Sequence, residues 1–190
     1  MQFVLASHNK KKLAEMATIL GGLDIEVLPL PENAPEPEET GATFEENALI
    51  KARSAADFTG LPAIADDSGL CVDALGGAPG IYSARYCVGT DADRNAFLLE
   101  NMRDKDDRAC RFVCAIVCLL PGGQRLTVRG ECEGELLRES RGAGGFGYDP
   151  LFFVPAYGCT FGELPGKVKN RISHRGRALR ALQEALKTRI

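Results

Sequence analysis

Short apolar runs alternate along this chain with stretches whose apolar residues recur at helical spacing. Residues 2 to 6, Gln-Phe-Val-Leu-Ala, predict a first strand. From Lys10 to Leu20 the apolar residues Leu13, Met16, Ala17 and Leu20 follow a helical period, and Gly21-Gly22 stops the helix. The run 24–30, DIEVLPL, predicts a second strand, and a Pro- and Glu-rich loop follows over 31–42. Thr43 and Glu46 stand at capping-box spacing and open a helix that runs to about Phe58. Its narrow face of Phe44, Ala48, Ala52 and Ala55 suits close packing.

Farther on, LPAIADDSGL (61–70) predicts a short strand that ends in a turn at its two aspartates. A Gly- and Pro-rich stretch, 76–80, precedes a helix from about Asp91 to Met102. Residues 109–120 and 124–137 are apolar runs separated by Pro-Gly-Gly, the pattern of a long hairpin. DPLFFVP, 149–155, predicts another strand, and a last helix starts near Ser173 with Leu179, Leu182 and Leu186 on one face. Helices alternating with strands, plus a hairpin, indicate an α/β fold built on a mixed β-sheet. There are no repeats and no long linker, so a single domain over 1–190 is expected.

Composition narrows the classes. The net charge of −3 argues against a nucleic-acid polymer as partner, yet leaves room for a local Lys and Arg cluster that takes a small anion. No apolar run approaches the roughly 20 residues of a membrane helix. The N-terminal apolar run is too short for a signal peptide, so a cytoplasmic address without membrane attachment is expected. Seven cysteines occur without a CxxC pair, and Cys110, Cys114 and Cys118 would share one strand face. Their apolar surroundings predict buried, inert thiols. With only His8 and His174, a histidine-rich zinc site is excluded.

Four polar segments carry candidate chemistry. In Ser7-His8-Asn9-Lys10-Lys11-Lys12, three lysines sit where a strand gives way to a helix. Such a turn exposes free N–H groups and the positive end of the helix dipole, which suits a phosphate. The run reads equally as a solvated helix face, and Walker A spacing is absent. In IADDSG, Asp66 and Asp67 are costly at the end of an apolar strand unless exposed or bound to a cation. Their side chains point to opposite faces, so they do not simply chelate one ion together. An ordinary acidic turn is the alternative. Glu36, Glu38 and Glu39 in the preceding loop could add a ligand, and oxygen-only ligands beside phosphates suit Mg²⁺.

In GAGGFGYDP, 142–150, glycines permit close backbone approach and Phe146 or Tyr148 could stack on a planar base; a glycine-rich turn with core aromatics is the plainer reading. In KVKNRISHRGRAL, the residues Lys169, Arg171, His174, Arg175 and Arg177 precede and open a helix whose dipole they oppose. Together the four segments form an inventory for a nucleoside triphosphate.

The stretches TFEENALIKA, PAIADDSGLCVDALGGAPGIYSARY, GGFGYDPLFF and ISHRGRAL strongly resemble the inosine/xanthosine triphosphate pyrophosphatases, which remove purine nucleotides with non-standard bases. The similarity spans essentially the whole chain, and the SHRG and FGYD motifs separate it from the related Maf-like group. It implies an elongated α/β fold with a central mixed sheet, a homodimer, and hydrolysis to the monophosphate and pyrophosphate. It also implies roles. Ser7 to Lys12 match the triphosphate-binding turn, and Lys51 matches a helix lysine near the phosphates. Asp67 matches the Mg²⁺ ligand and proton acceptor, with Ser68 beside it and Glu38 as a second metal carboxylate. Phe146, Gly147, Tyr148, Asp149, Lys169, His174 and Arg175 match positions around base and sugar. Many relatives carry Thr-Gly-Asn where this chain has Ser7-His8-Asn9, so a modest effect of His8 on affinity is expected.

Overall fold

The computed structural model describes residues 1–23 and 25–189, the side chains of Lys11 and Glu15 aside. Asp24, first residue of the predicted second strand, lies outside the described residues. Among the described residues seven strands form one sheet: β1 (Gln2–Leu5), β2 (Glu26–Leu28), β3 (Ala63–Val72), β4 (Ala109–Leu119), β5 (Arg125–Leu136), β6 (Phe152–Val154) and β7 (Cys159–Thr160), in the order β2-β1-β3-β4-β5-β6-β7. β1 runs parallel to β2 and β3, whereas β6 is antiparallel to β5 and β7, so the sheet is mixed. The helices are α1 (Lys10–Leu20), α2 (Phe44–Thr59), α3 (Asp91–Asn101), α4 (Gly166–Ile172) and α5 (His174–Lys187).

The residues group into two compact units. One holds Met1–Asp67, Cys114–Gly130 and Arg177–Ile190; the other holds Ser68–Val113 and Glu131–Gly176. The first packs Phe3, Leu5, Met16, Leu20, Ile64 and Ile116 against Leu179, Leu182 and Leu186 of α5. The second is built around aromatic rings: Phe152 lies 4.7 Å from both Phe112 and Phe161, and Leu98 of α3 joins the cluster. Each unit therefore has its own apolar core.

The periodic helices form where the pattern puts them. The α1 span matches its expectation, and on α2 the face Phe44, Ala48, Ala52 and Ala55 is buried as predicted. The cap of α2 is half a box: Thr43 accepts from the Glu46 N–H, but the Glu46 carboxylate reaches back to the Ala42 N–H. β2 is shorter than its apolar run because Pro29 supplies no N–H to extend the ladder.

The expectation for β3 is corrected. The strand does not end at the aspartates; it continues through Asp66 and Asp67 to Val72. α4 and β7 were not legible, since they have only seven and two residues and neither shows a clear period. The seven cysteines are thiols rather than disulfides, and burial pushes Cys110 and Cys118 up to about 12, as inert core groups require.

Ala52 is fully buried in a cluster with Ala48, Ala65 and Val117, where α2 meets the sheet. A larger side chain there pushes α2 away. Ala52→Leu is expected to lower stability by about 1–3 kcal/mol, measured by chemical denaturation.

Candidate active site

Two clusters of candidate side chains form, one in each unit. In the first, β3 carries Asp66 and Asp67 fully inside the fold, at 2 % and 8 % exposure. Buried carboxylates need cations, and two helices supply them. The Lys12 Nζ of α1 donates to Asp66 Oδ1 at 2.9 Å, and the Lys51 Nζ of α2 donates to Asp67 Oδ1 at 3.1 Å. The alternation along the strand thus sends the two carboxylates to different lysines. Lys51 also donates to Glu39 Oε1 at 2.7 Å, and Asn47, one turn before Lys51, presents its amide 3.4 Å from Asp67 Oδ2. Asn47 Oδ1 in turn accepts the Gly41 N–H, which ties down the loop that bears Glu39.

Burial raises the Asp67 carboxyl above the usual aspartate range, and the neighbouring Glu39 charge adds to this against the opposing pull of Lys51. For Lys51 burial acts downward, but Asp67 and Glu39 outweigh it and hold the ammonium above its ordinary value. Lys51 is therefore a fixed cation, and Asp67 is a carboxylate made more basic.

The turn before α1 is ordered by its own side chains. The Ser7 hydroxyl accepts the Asn9 N–H at 3.2 Å, and Asn9 Oδ1 accepts the Lys12 N–H at 3.2 Å, capping the helix. Lys10 is exposed, while the side chain of Lys11 lies outside the described residues. His8 Nε2 is 3.9 Å from the exposed Glu36. Among the described lysine side chains of this turn, Lys12 is the one in an ion pair.

The second cluster lies in the other unit. Asp149, 2 % exposed, accepts the Phe146 N–H at 2.9 Å and ion-pairs with Lys169 of α4. The Lys169 ammonium sits 4.8 Å from the centroid of the Phe146 ring, and the Arg175 guanidinium 5.7 Å from it. Phe146 leaves 44 % of its surface open. Tyr148 does not: it is buried, its hydroxyl donates to the Ser83 carbonyl at 2.8 Å, and burial raises its pKa. Of the two aromatics considered for stacking, Phe146 is the exposed one. His174 lies flat against Phe112, with centroids 4.7 Å apart, so its ring is packed into the aromatic core. Ser173 caps α5 by accepting the Gly176 N–H at 3.1 Å.

A model of the Ham1 family matches residues 3–185. The chain belongs to the Ham1 family. It is 52 % identical to a dITP/XTP pyrophosphatase of Geobacter sulfurreducens over 97 % of this chain and 96 % of that one. A dITP/XTP pyrophosphatase of Thermus thermophilus is also 52 % identical, over 98 % of this chain and 92 % of its relative. The solved structure of a HAM1 protein from Coxiella burnetii superposes with a TM-score of 0.93 at 48 % identity, covering 99 % of both chains. The α/β architecture with its mixed sheet is that of the Ham1 structures.

Within this Ham1-family chain the structure refines the sequence-derived site. Glu39, not the exposed Glu38, reaches Lys51 beside Asp67. Ser68 follows Asp67 on β3, half-buried, as the first residue of the second unit. Asn47 was missed; the clue was a polar residue four positions before Lys51 on an otherwise apolar helix face. Among the described residues no three His, Cys, Asp or Glu side chains gather into a cage for a metal ion.

Gly145, at φ +76°, has no room for a side chain: a Cβ there overlaps the Asp149 carboxylate. Gly147 also has positive φ, +60°, but faces open space. Gly147→Ala is expected to cost about 1 kcal/mol from backbone strain alone. Gly145→Ala is expected to cost more, because it also displaces the partner of Lys169. Denaturation midpoints of the two variants give the comparison, and equal losses would remove the special role of Gly145.

Proposed function

We propose that this chain hydrolyses inosine, deoxyinosine and xanthosine triphosphates to the nucleoside monophosphate and pyrophosphate, with Mg²⁺, so clearing non-standard purines from the nucleotide pool. The observation that carries this reading is Asp67: a buried carboxylate of raised pKa, gripped by Lys51 and flanked by Glu39. Such a group is placed to accept a proton from water as the water oxygen adds to phosphorus and the α–β anhydride opens. Lys12, Lys51 and the capped turn from Ser7 to Asn9 supply donors for the phosphate chain. The names of the relatives, dITP/XTP pyrophosphatase, support the substrate class.

The donor set fits Mg²⁺. It is oxygen-only, and a hard cation of this kind is commonly held by one or two carboxylates together with substrate phosphates, which needs no cage of three protein ligands. Asp67 would hold it, with Glu39 or Glu38 as the second carboxylate. When bound, Mg²⁺ offsets the charge that collects on the phosphate oxygens. A homodimer and a cytoplasmic address belong to the same proposal; no helix among the described residues is long and apolar enough to cross a membrane.

For the base, Phe146 offers a ring face and Arg175 only donors. Hypoxanthine and xanthine bear an acceptor oxygen at position 6, whereas adenine bears an amino donor there. A donor facing adenine is left unsatisfied, at about 1–3 kcal/mol each. Arg175→Ala is expected to lower kcat/KM for inosine triphosphate while changing the poor adenosine triphosphate rate much less. A proportional fall in both would place Arg175 on sugar or phosphate.

The reaction is checked by phosphorus NMR of inosine triphosphate with Mg²⁺, where monophosphate and pyrophosphate are expected; release of orthophosphate would overturn the proposal. Asp67→Asn is expected to lower turnover by about 10²–10⁴-fold. Since folding raises the Asp67 pKa, its ionisation at neutral pH opposes folding, and this penalty disappears as pH falls below the unfolded-chain value. The neutral amide escapes that penalty, so the variant is expected to melt no lower than the parent at pH 7.

A further inference from the structure

We propose that Asp91 and Asn95, one turn apart on α3, are positioning residues that clamp the base-binding loop by holding both polar groups of Gly147. The inference rests on the reading that Phe146 to Asp149 meet the base. The Gly147 N–H donates to Asp91 Oδ2 at 2.7 Å, and the Gly147 carbonyl accepts from Asn95 Nδ2 at 3.1 Å. Residues four apart on a helix share a face, so the two side chains reach one peptide together.

The plainer account of Asp91 is a first-turn acid favoured by the helix dipole and paired with Arg94 at 2.7 Å. That pair occupies Oδ1; the other oxygen is given to Gly147. Nor does that account reach Asn95, a buried amide at 7 % exposure bonded to a loop 52 residues away. A carbonyl only accepts, so Asn95 must turn its NH₂ toward Gly147.

On its α3 side the loop borders open space. A cavity of about 410 Å³ lies against it, lined by Asn95, Ala96, Leu99, Gly144, Phe146 and Gly147. Phe146 is 44 % exposed, and the backbone that carries it is held by polar contacts: Asp149 on the Phe146 N–H, and α3 on Gly147. Loss of the α3 contacts leaves the loop folded but free to wander, which weakens substrate capture and leaves the chemistry at Asp67 alone.

The test uses Asp91→Ala, Asn95→Ala and the conservative Asp91→Asn, which retains an acceptor for the Gly147 N–H. Each Ala variant is expected to raise KM for inosine triphosphate about 3- to 10-fold, the effect of one lost hydrogen bond, with kcat nearly unchanged. Asp91→Asn is expected to restore most of the loss. A fall in kcat at constant KM would mark a merely structural role, and unchanged KM in a folded variant would show that the loop needs no clamp; either result overturns the proposal. The chain has no tryptophan, so Phe146→Trp adds a single fluorescent reporter on the loop. In that background the Ala variants are expected to increase acrylamide quenching and Asp91→Asn to leave it unchanged; equal quenching in all of them overturns the clamp. If the parent protein leaves inosine triphosphate intact, the proposed function fails, while the quenching comparison still decides the clamp.

Discussion

A strand that buries two adjacent aspartates sets the terms for the first unit. β3 is buried along nearly its whole length, and Asp66 and Asp67 stand in its middle. An isolated ionised carboxylate in such a place is costly enough that it protonates or acquires a cation. The strand alternation forbids one lysine from serving both. Hence α1 must deliver Lys12 to one aspartate and α2 must deliver Lys51 to the other. The alanine face of α2 follows from the same demand. Small side chains at Ala48 and Ala52 let the helix approach closely, and a lysine one position from Ala52 then reaches the strand.

In the second unit the corresponding problem is solved by backbone. Asp149 is buried and ion-paired like Asp67, but it gives one oxygen to the Phe146 N–H and so shapes the loop that carries it. Glycine at 145 is required because the carboxylate occupies the space a side chain would need. The loop is thus folded around a charge, and the exposed ring of Phe146 is a by-product of that folding.

These differences explain what could be read from the sequence. Helices α1 and α2 were legible because each repeats apolar residues over several turns, a signal local to the segment. The course of β3 was not. Two consecutive charges look like a strand end when their neutralising partners lie 54 and 16 positions away. Nor does the sequence show which of two adjacent loop glutamates turns toward Lys51; in the fold it is Glu39. Phe146 and Tyr148 were equivalent on paper; the Ser83 carbonyl that draws Tyr148 inward lies 65 residues away. Motif resemblance nominated segments, and three-dimensional pairing shows which side chains within them are brought together.

The way each cluster is held fits the task proposed for it. A proton acceptor must stand within hydrogen-bond reach of one atom, and catalysis falls steeply with misplacement, so a carboxylate in a central strand braced by a lysine and an amide is the appropriate support. A base-recognition element for hypoxanthine and xanthine faces a different requirement, because its ligands differ by an oxo group at one edge. In that reading a loop fixed at Phe146 and Gly147 by hydrogen bonds would present the partly exposed Phe146 ring to either base. Discrimination would then fall to the donors near the ring rather than to a closed apolar pocket. Such a pocket separates ligands that differ by one small group only weakly, whereas a mismatched buried donor separates them strongly. A rigid acid and a polar-pinned loop would suit the hydrolysis proposed for 6-oxo purine nucleotides.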